Sequence, residues 1–239
     1  MHKKRNPFEI IFHEFINQFG GEVLQEASTS KTADYLFRTQ NIVAELKCLM
    51  EDQTAAVNKK VNRMVQKWAD TNRGSGQSIP IVWEGEVPHL EFRYAPKEIQ
   101  TKWVAVLKSP IYDLVVKAQR QIRCTIEQRN LDSAKGLVLI FNAYNLLHSD
   151  PRSFELLLLD VLRKKSPEGA RRFPCIHAVI YFSLDVKTAD GKSFWAAVRL
   201  QSGKNDDTEP MRQFQHELGQ AWYAYLRAKG IIVRPSRGR

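Results

Sequence analysis

Asp34, Glu45 and Lys47 are the residues of this chain whose types and spacing could together act on a phosphate. They lie in and before the segment NIVAELKCLM, residues 41–50, which would read as a buried strand but for one carboxylate and one ammonium. Side chains alternate along a strand, so Ile42, Ala44, Leu46 and Cys48 take one face while Val43, Glu45 and Lys47 take the other. If ADYLF (33–37) and IVAELKC (42–48) pair antiparallel around RTQN with Phe37 opposite Ile42, Asp34 falls opposite Glu45. Like charges directly opposed destabilise a sheet. A hard divalent cation removes that repulsion, because Mg²⁺ accepts carboxylate oxygens and keeps several waters for chemistry. Lys47, two residues along on the Glu45 face, could then hold an attacking water or the charge that develops on a phosphate. Two carboxylates and a lysine around Mg²⁺ or Mn²⁺ make a layout for hydrolysing a phosphodiester.

The elements that must position these residues follow from periodicity. Pro7 to Phe19 places Phe8, Ile11, Phe12, Phe15, Ile16 and Phe19 at helical spacing, with Gly20-Gly21 as a stop. A strand is expected at 22–27, a polar turn at STSKT, then the two strands of the proposed hairpin. Thr54 to Ala69 returns to a helical period through Val57, Val61, Met64, Val65 and Trp68. TNRGSGQS (71–78) breaks all periodicity and reads as a mobile loop or internal boundary. IPIVW and HLEFRY suit short strands, and KEIQTKWVAVL (97–107) fits helix or strand equally. The spacing predicts a helix from Pro110 to Gln128 and a central strand at GLVLIFNA, 136–143. Asp150 suits a cap and Pro151 a first helical position, opening a helix to about Lys165. IHAVIYFSL and FWAAVRLQ follow as strands, and 210–229 as a last helix. The order predicts an α/β class, a central mixed β-sheet flanked by α-helices, in one domain: a core over about 7–183, an extension over about 184–232 and a frayed basic tail, 233–239.

Composition narrows the partners. Thirty-six Lys and Arg against 26 Asp and Glu give a formal net charge of +10 in 239 residues. Such a surplus favours polyanions through counterion release, nucleic acid first and an anionic membrane surface second. No apolar run is long enough to span a membrane, and Glu9, His13 and Glu14 interrupt any signal-peptide core in the opening residues. Cys48, Cys124 and Cys175 are odd in number and widely spaced, as expected of reduced, buried thiols in a cytoplasmic protein.

At Asp34, ten intervening residues, then Glu45-Leu46-Lys47 at the end of a strand, the chain resembles the PD-(D/E)XK nuclease superfamily. The resemblance implies a restriction-endonuclease-like core with C-terminal elaborations, binding Mg²⁺ or Mn²⁺ and cutting nucleic acid, DNA before RNA. It further implies Asp34 and Glu45 as metal ligands, the Leu46 carbonyl as another, and Lys47 as the catalytic lysine. No proline precedes Asp34, a position the superfamily keeps loosely. Many members place a glutamate on the helix before the sheet, for which Glu14 is the better candidate and Glu9 the weaker. Many also carry a glutamine on the helix after the strand. Periodicity leaves Gln119 and Gln121 equal, since both border the apolar stripe, and the resemblance selects Gln121, with Lys117 one turn before it. Members that cut duplexes as dimers make a homodimer, or a partner protein, a further expectation.

The plainer readings stand beside these. Glu45 and Lys47 could be the exposed half of an amphipathic strand, joined in a surface ion pair of little worth. Lys59, Lys60, Arg63 and Lys67 read equally as a solvated helix face and as a track carrying a phosphate backbone toward the metal. No HExxH or CxxC supports zinc, and the RGSGQS stretch lacks the GK[ST] ending of a phosphate-cradling loop. Two rival functions remain: a nucleic-acid-binding module that does not cut, and a structural component of a nucleoprotein or defence assembly.

Overall fold

The structure, a computed structural model, describes residues 7–25, 31–49, 53–71, 81–84, 87–90, 95–142, 151–183, 194–199 and 208–230. The elements are α1 (Pro7–Phe19), β1 (Glu22–Val23), β2 (Tyr35–Phe37), β3 (Ile42–Leu49), α2 (Thr54–Thr71), β4 (Ile81–Glu84), β5 (Val87–Leu90), α3 (Lys97–Gln128), β6 (Lys135–Asn142), α4 (Pro151–Leu162), β7 (Ala178–Ser183), β8 (Phe194–Arg199) and α5 (Thr208–Ala228). Six strands form one sheet in the order β1-β2-β3-β6-β7-β8, and β4 and β5 pair as a separate two-stranded ribbon. β3, β6 and β7 are parallel, while the β1-β2, β2-β3 and β7-β8 pairs are antiparallel. The class is therefore the expected one, α/β with a mixed sheet and helices on its faces.

The alternation within β3 decides which layer each residue joins. Ile42, Ala44 and Leu46 enter a core with Phe12, Phe15 and Ile16 of α1 and Phe214, Leu218 and Trp222 of α5. Val43 enters the opposite core, against Ile111, Val115, Ala118 and Ile122 of α3 and Phe154 and Leu158 of α4. Glu45 and Lys47 share the parity of Val43, and so face the α3 layer.

The β2-β3 register is the one the sequence leads to: Tyr35 opposite Ala44, Leu36 opposite Val43, Phe37 opposite Ile42. The turn pins it. Asn41 takes a φ of 51°, a left-handed conformation that asparagine tolerates, and its N–H donates to the Arg38 carbonyl at 3.1 Å. Its side-chain amide donates to Ser133 Oγ at 2.8 Å, and its carbonyl accepts the Lys135 N–H at 2.9 Å, so the same turn also sets where β6 begins.

Several boundaries differ from expectation. The ambiguous 97–107 segment and the 110–128 helix are one helix, α3, with Pro110 inside it rather than at its start. Proline removes one backbone donor there. The turns on both sides are held by packing, Ile99 against Trp68 of α2 and Ile111, Leu114 and Val115 against the sheet. β1 is only two residues long, and its pairing continues by one bond as the Leu24 N–H donates to the Asp34 carbonyl at 2.8 Å. α4 stops at Leu162, short of Lys165, because Lys165 is drawn into a bridge with Arg171. Most of the 71–78 segment, the Asp150 cap and the 233–239 tail lie outside the described residues. The three cysteines are free but half-buried rather than fully buried. Among the described residues no helix is long and apolar enough to cross a membrane.

Candidate metal centre

The hairpin brings Asp34 and Glu45 together at the point where β2 begins. Asp34 precedes the first residue of β2, and its Oδ2 accepts the N–H of Leu46 at 2.8 Å. Carrying the observed register one step beyond Tyr35 and Ala44 sets Asp34 across from Glu45. Glu45 is 1% exposed, a depth at which a carboxylate requires compensation. Lys47 Nζ donates to Glu45 Oε1, while Glu45 Oε2 has no hydrogen-bond partner among the described residues.

The electrostatics follow from that burial. Glu45 is held well above the usual carboxylate range, first by burial and then by the neighbouring Asp34 charge, with Lys47 opposing both. Asp34 is also raised, chiefly by burial, against the lowering effect of the Leu46 N–H and of Lys47. Both carboxyl groups therefore resist ionising together, as paired carboxylates do when no cation separates them.

An orphaned carboxylate oxygen in a pair of mutually repelling acids is what a hard cation would complete, so the donor set fits Mg²⁺ or Mn²⁺ better than zinc. Asp34, Glu45 and the Leu46 carbonyl are the groups that would hold it. Among the described residues no three His, Cys, Asp or Glu side chains gather as a ligand cluster, which leaves the remaining positions to water or substrate.

α3 closes the site from above. Gln121 Oε1 accepts from Lys47 Nζ at 2.7 Å, and Gln121 Nε2 donates to the Thr32 carbonyl at 3.1 Å. Gln119, which periodicity could not separate from it, points elsewhere and accepts the Cys175 N–H at 3.2 Å. One turn beyond Gln121, the fully buried Thr125 hydroxyl accepts the Ala33 N–H at 2.7 Å and donates to the Gln121 carbonyl at 3.0 Å. Neither Thr32 nor Thr125 stands out in the sequence. The available signal for Thr125 was its spacing, four residues after Gln121 on the same side of a helix.

Neither α1 glutamate joins the Asp34 and Glu45 pair as a third ligand among the described residues. Glu14, expected as the ligand, is exposed and tied to α5, accepting from Tyr225 Oη at 3.0 Å and Lys229 Nζ at 3.1 Å, and these bonds lower its pKa. Glu9 is the α1 carboxylate whose charge reaches Asp34 and adds to its rise. Five residues carry a helix about 140° round, so the two glutamates cannot serve one site.

Lys59, Lys60, Arg63 and Lys67 are exposed along α2, and none has an ion pair among the described residues. Lys117 is likewise exposed on α3. Trp68 and Trp222 are buried in the core.

Thr125→Val tests how far α3 governs the hairpin. Loss of the hydroxyl leaves the buried Ala33 N–H without an acceptor, at an expected cost of about 1–3 kcal/mol in chemical denaturation. Thr125→Ser, which keeps the hydroxyl, should recover most of that loss. Equal stability of the valine variant and the parent would show that the bond carries no weight.

Comparison with protein-family models, with curated proteins and with solved structures returned no match.

Proposed function

We propose that this chain is a metal-dependent nuclease that hydrolyses phosphodiester bonds, in DNA by preference, on the restriction-endonuclease-like PD-(D/E)XK plan. The observation that carries the reading is the buried Glu45, with one oxygen bound by Lys47 and the other facing the Asp34 carboxyl with no further partner among the described residues, set across a hairpin from Asp34. A protein with no use for a cation has little reason to bury one carboxylate against another.

When bound, the divalent cation would supply the charge that activates water and neutralises the phosphate. Asp34 and Glu45 would hold it, and the Leu46 N–H fixes the Asp34 carboxylate in place. Lys47 presents its ammonium beside the metal ligands, where it orients the attacking water or stabilises the negative charge of the transition state. Gln121 holds that ammonium from α3 and ties it to the Thr32 backbone, so the cation does not swing into solvent. The exposed cations of α2 offer a sequence-independent attraction for the phosphate backbone.

A cleavage panel tests the reading: supercoiled, linear and single-stranded DNA, and RNA, each with Mg²⁺, Mn²⁺ or EDTA. Metal-dependent products are expected, reduced about a hundredfold or more by Lys47→Ala. Products that persist undiminished in that variant would remove Lys47 from the chemistry. The absence, among the described residues, of a third acidic or imidazole ligand favours a second reading, a nucleic-acid-binding module that does not cut. Its mark would be salt-sensitive binding with no turnover under any metal.

A further inference from the structure

Between α4 and β7 the chain reads RKKSPEGARR, residues 163–172, five cations with one carboxylate, Glu168. The middle of this segment is a turn written in the sequence. Serine, proline and glycine occupy the first, second and fourth positions that a β-turn favours. The Gly169 N–H donates to the Ser166 carbonyl at 2.9 Å, and Gly169 takes a φ of 82°, which glycine adopts without strain. The arms then close: the Ser166 N–H donates to the Ala170 carbonyl at 2.8 Å, Lys165 bridges Arg171, and the Arg172 N–H donates to the Lys164 carbonyl at 3.2 Å. A sequence that could have been a loose basic loop is a small closed hairpin.

That hairpin is seated on α3. Lys164 Nζ and Arg172 Cζ lie 5.6 and 5.0 Å from the centre of the Tyr112 ring, which packs edge-on against the buried Phe173. Cation–π contact at such distances orients the two side chains while leaving their charges unneutralised. Arg163, Lys164, Lys165 and Arg172 are exposed and have no ion pair among the described residues. Several other exposed cations are paired, as Arg38 is with Glu22, Lys102 with Glu98 and Arg212 with Glu209, whereas those of α2 have no ion pair among the described residues.

We propose that the 163–172 hairpin is a second docking surface for a nucleic-acid phosphate backbone, separate from the α2 stripe. Four cations without an ion pair among the described residues, two of them seated on an aromatic ring, present positive charge on a closed hairpin rather than a flexible tail. Such an arrangement suits the regular spacing of phosphates along a strand, through contacts that position a backbone without carrying sequence information. The surface extends the nucleic-acid partner of the proposed function beyond the metal centre. It stands or falls on binding alone, whether or not the chain cuts.

The test uses the full chain in EDTA, so that cleavage cannot intervene, with a fluorescent duplex and a single strand of equal length. Binding is measured across a salt series for the parent and for K164A/K165A/R172A. Each lost phosphate contact removes about 0.9 from the slope of log K against log salt for a duplex. The triple variant should therefore show a slope shallower by about 2–3 and, at low salt, affinity at least tenfold weaker. K102A/R212A/R227A, which removes equal charge elsewhere, should leave the slope within one contact of the parent. Tyr112→Phe, which keeps the ring, should bind as the parent does. An unchanged slope in K164A/K165A/R172A overturns the proposal, as does an equal loss in the control. Retained nucleic-acid binding with lost binding to phosphatidylserine vesicles would overturn it in favour of a membrane surface. Failure of cleavage with the hairpin effect intact would count against the nuclease reading alone.

Discussion

Glu45→Gln is expected to abolish metal-dependent cleavage while making the metal-free protein more stable. The substitution keeps the shape of the side chain and an acceptor for Lys47, but removes the buried member of a pair of acids that oppose each other. The sign follows from the raised pKa values. A carboxyl whose folded pKa lies above its unfolded value contributes stability that is fully present below the unfolded value and lost as pH rises through the folded one. For Glu45 and Asp34 both shifts are upward, so the metal-free parent should lose stability as pH rises above the ordinary carboxylate range. In Glu45→Gln that decline should be smaller. Relief of such strain at a functional site is worth about 0.5–2 kcal/mol, or roughly 1–8 °C in melting temperature for a chain of this size. Millimolar Mg²⁺ should raise the melting temperature of the parent and leave the variant where it was. Thermal scans in EDTA and in Mg²⁺, beside the cleavage assay, read all three effects. A variant that cuts as well as the parent would end the assignment of Glu45, and one that is less stable in EDTA would show that the Lys47 contact outweighs the repulsion.

Gly136→Ala should be the most damaging small substitution in the fold. Gly136 lies in β6, opposite Val43 of β3, and a methyl group there would sit 1.9 Å from the Cys175 carbonyl oxygen and 2.8 Å from Ile122 Cγ2. The first obstacle is backbone and cannot rotate away. That backbone is itself fixed, because the Cys175 N–H is held by Gln119, and His177 bonds Gly136 through both its own N–H and its ring Nδ1. Relief requires β7 to part from β6 or α3 to lift from the sheet. Overpacking of this kind costs about 3 kcal/mol or more, a fall of roughly 6–12 °C in melting temperature. Because Ile122 adjoins Gln121, residual folded protein should also show weakened cleavage. Unfolding of the variant at the parental denaturant midpoint would show that the approach is not as close as the structure gives it.

What could be read from the sequence was whatever depends on short-range geometry. Pairing Phe37 with Ile42 across a short turn fixes every later pair, and so brings Asp34 to Glu45 with no knowledge of the rest of the chain. Parity along β3 likewise set Glu45 and Lys47 on one face. The α3 side of the site was less legible. Gln119 and Gln121 flank one apolar stripe, and only the crossing of α3 over β3 sends one to Lys47 and the other to Cys175. Glu14 was preferred to Glu9 on resemblance, yet rotation about α1 turns Glu14 to α5. Pro110 looked like a helix start because its missing donor is harmless there; it lies mid-helix because packing on both sides outweighs one absent bond. Thr125 offered only its spacing from Gln121, since a lone hydroxyl on a helix gives no sign of the backbone amide it will meet 92 positions earlier in the chain.

That last separation bears on how the molecule is made. The β2-β3 hairpin is local and can close within microseconds once residues 34–45 have left the ribosome. Its two acids then meet before there is an α3 to cover them or a β6 to pair with β3. At a synthesis rate of about 5–20 residues per second, the segment through Asn142 follows only after several seconds. Throughout that interval one edge of β3 has no neighbour, and Lys47 has no Gln121 to hold it. The hairpin's acids and the free edge of β3 are thus made before their cover, and only α3 and β6 complete the site and seal that edge.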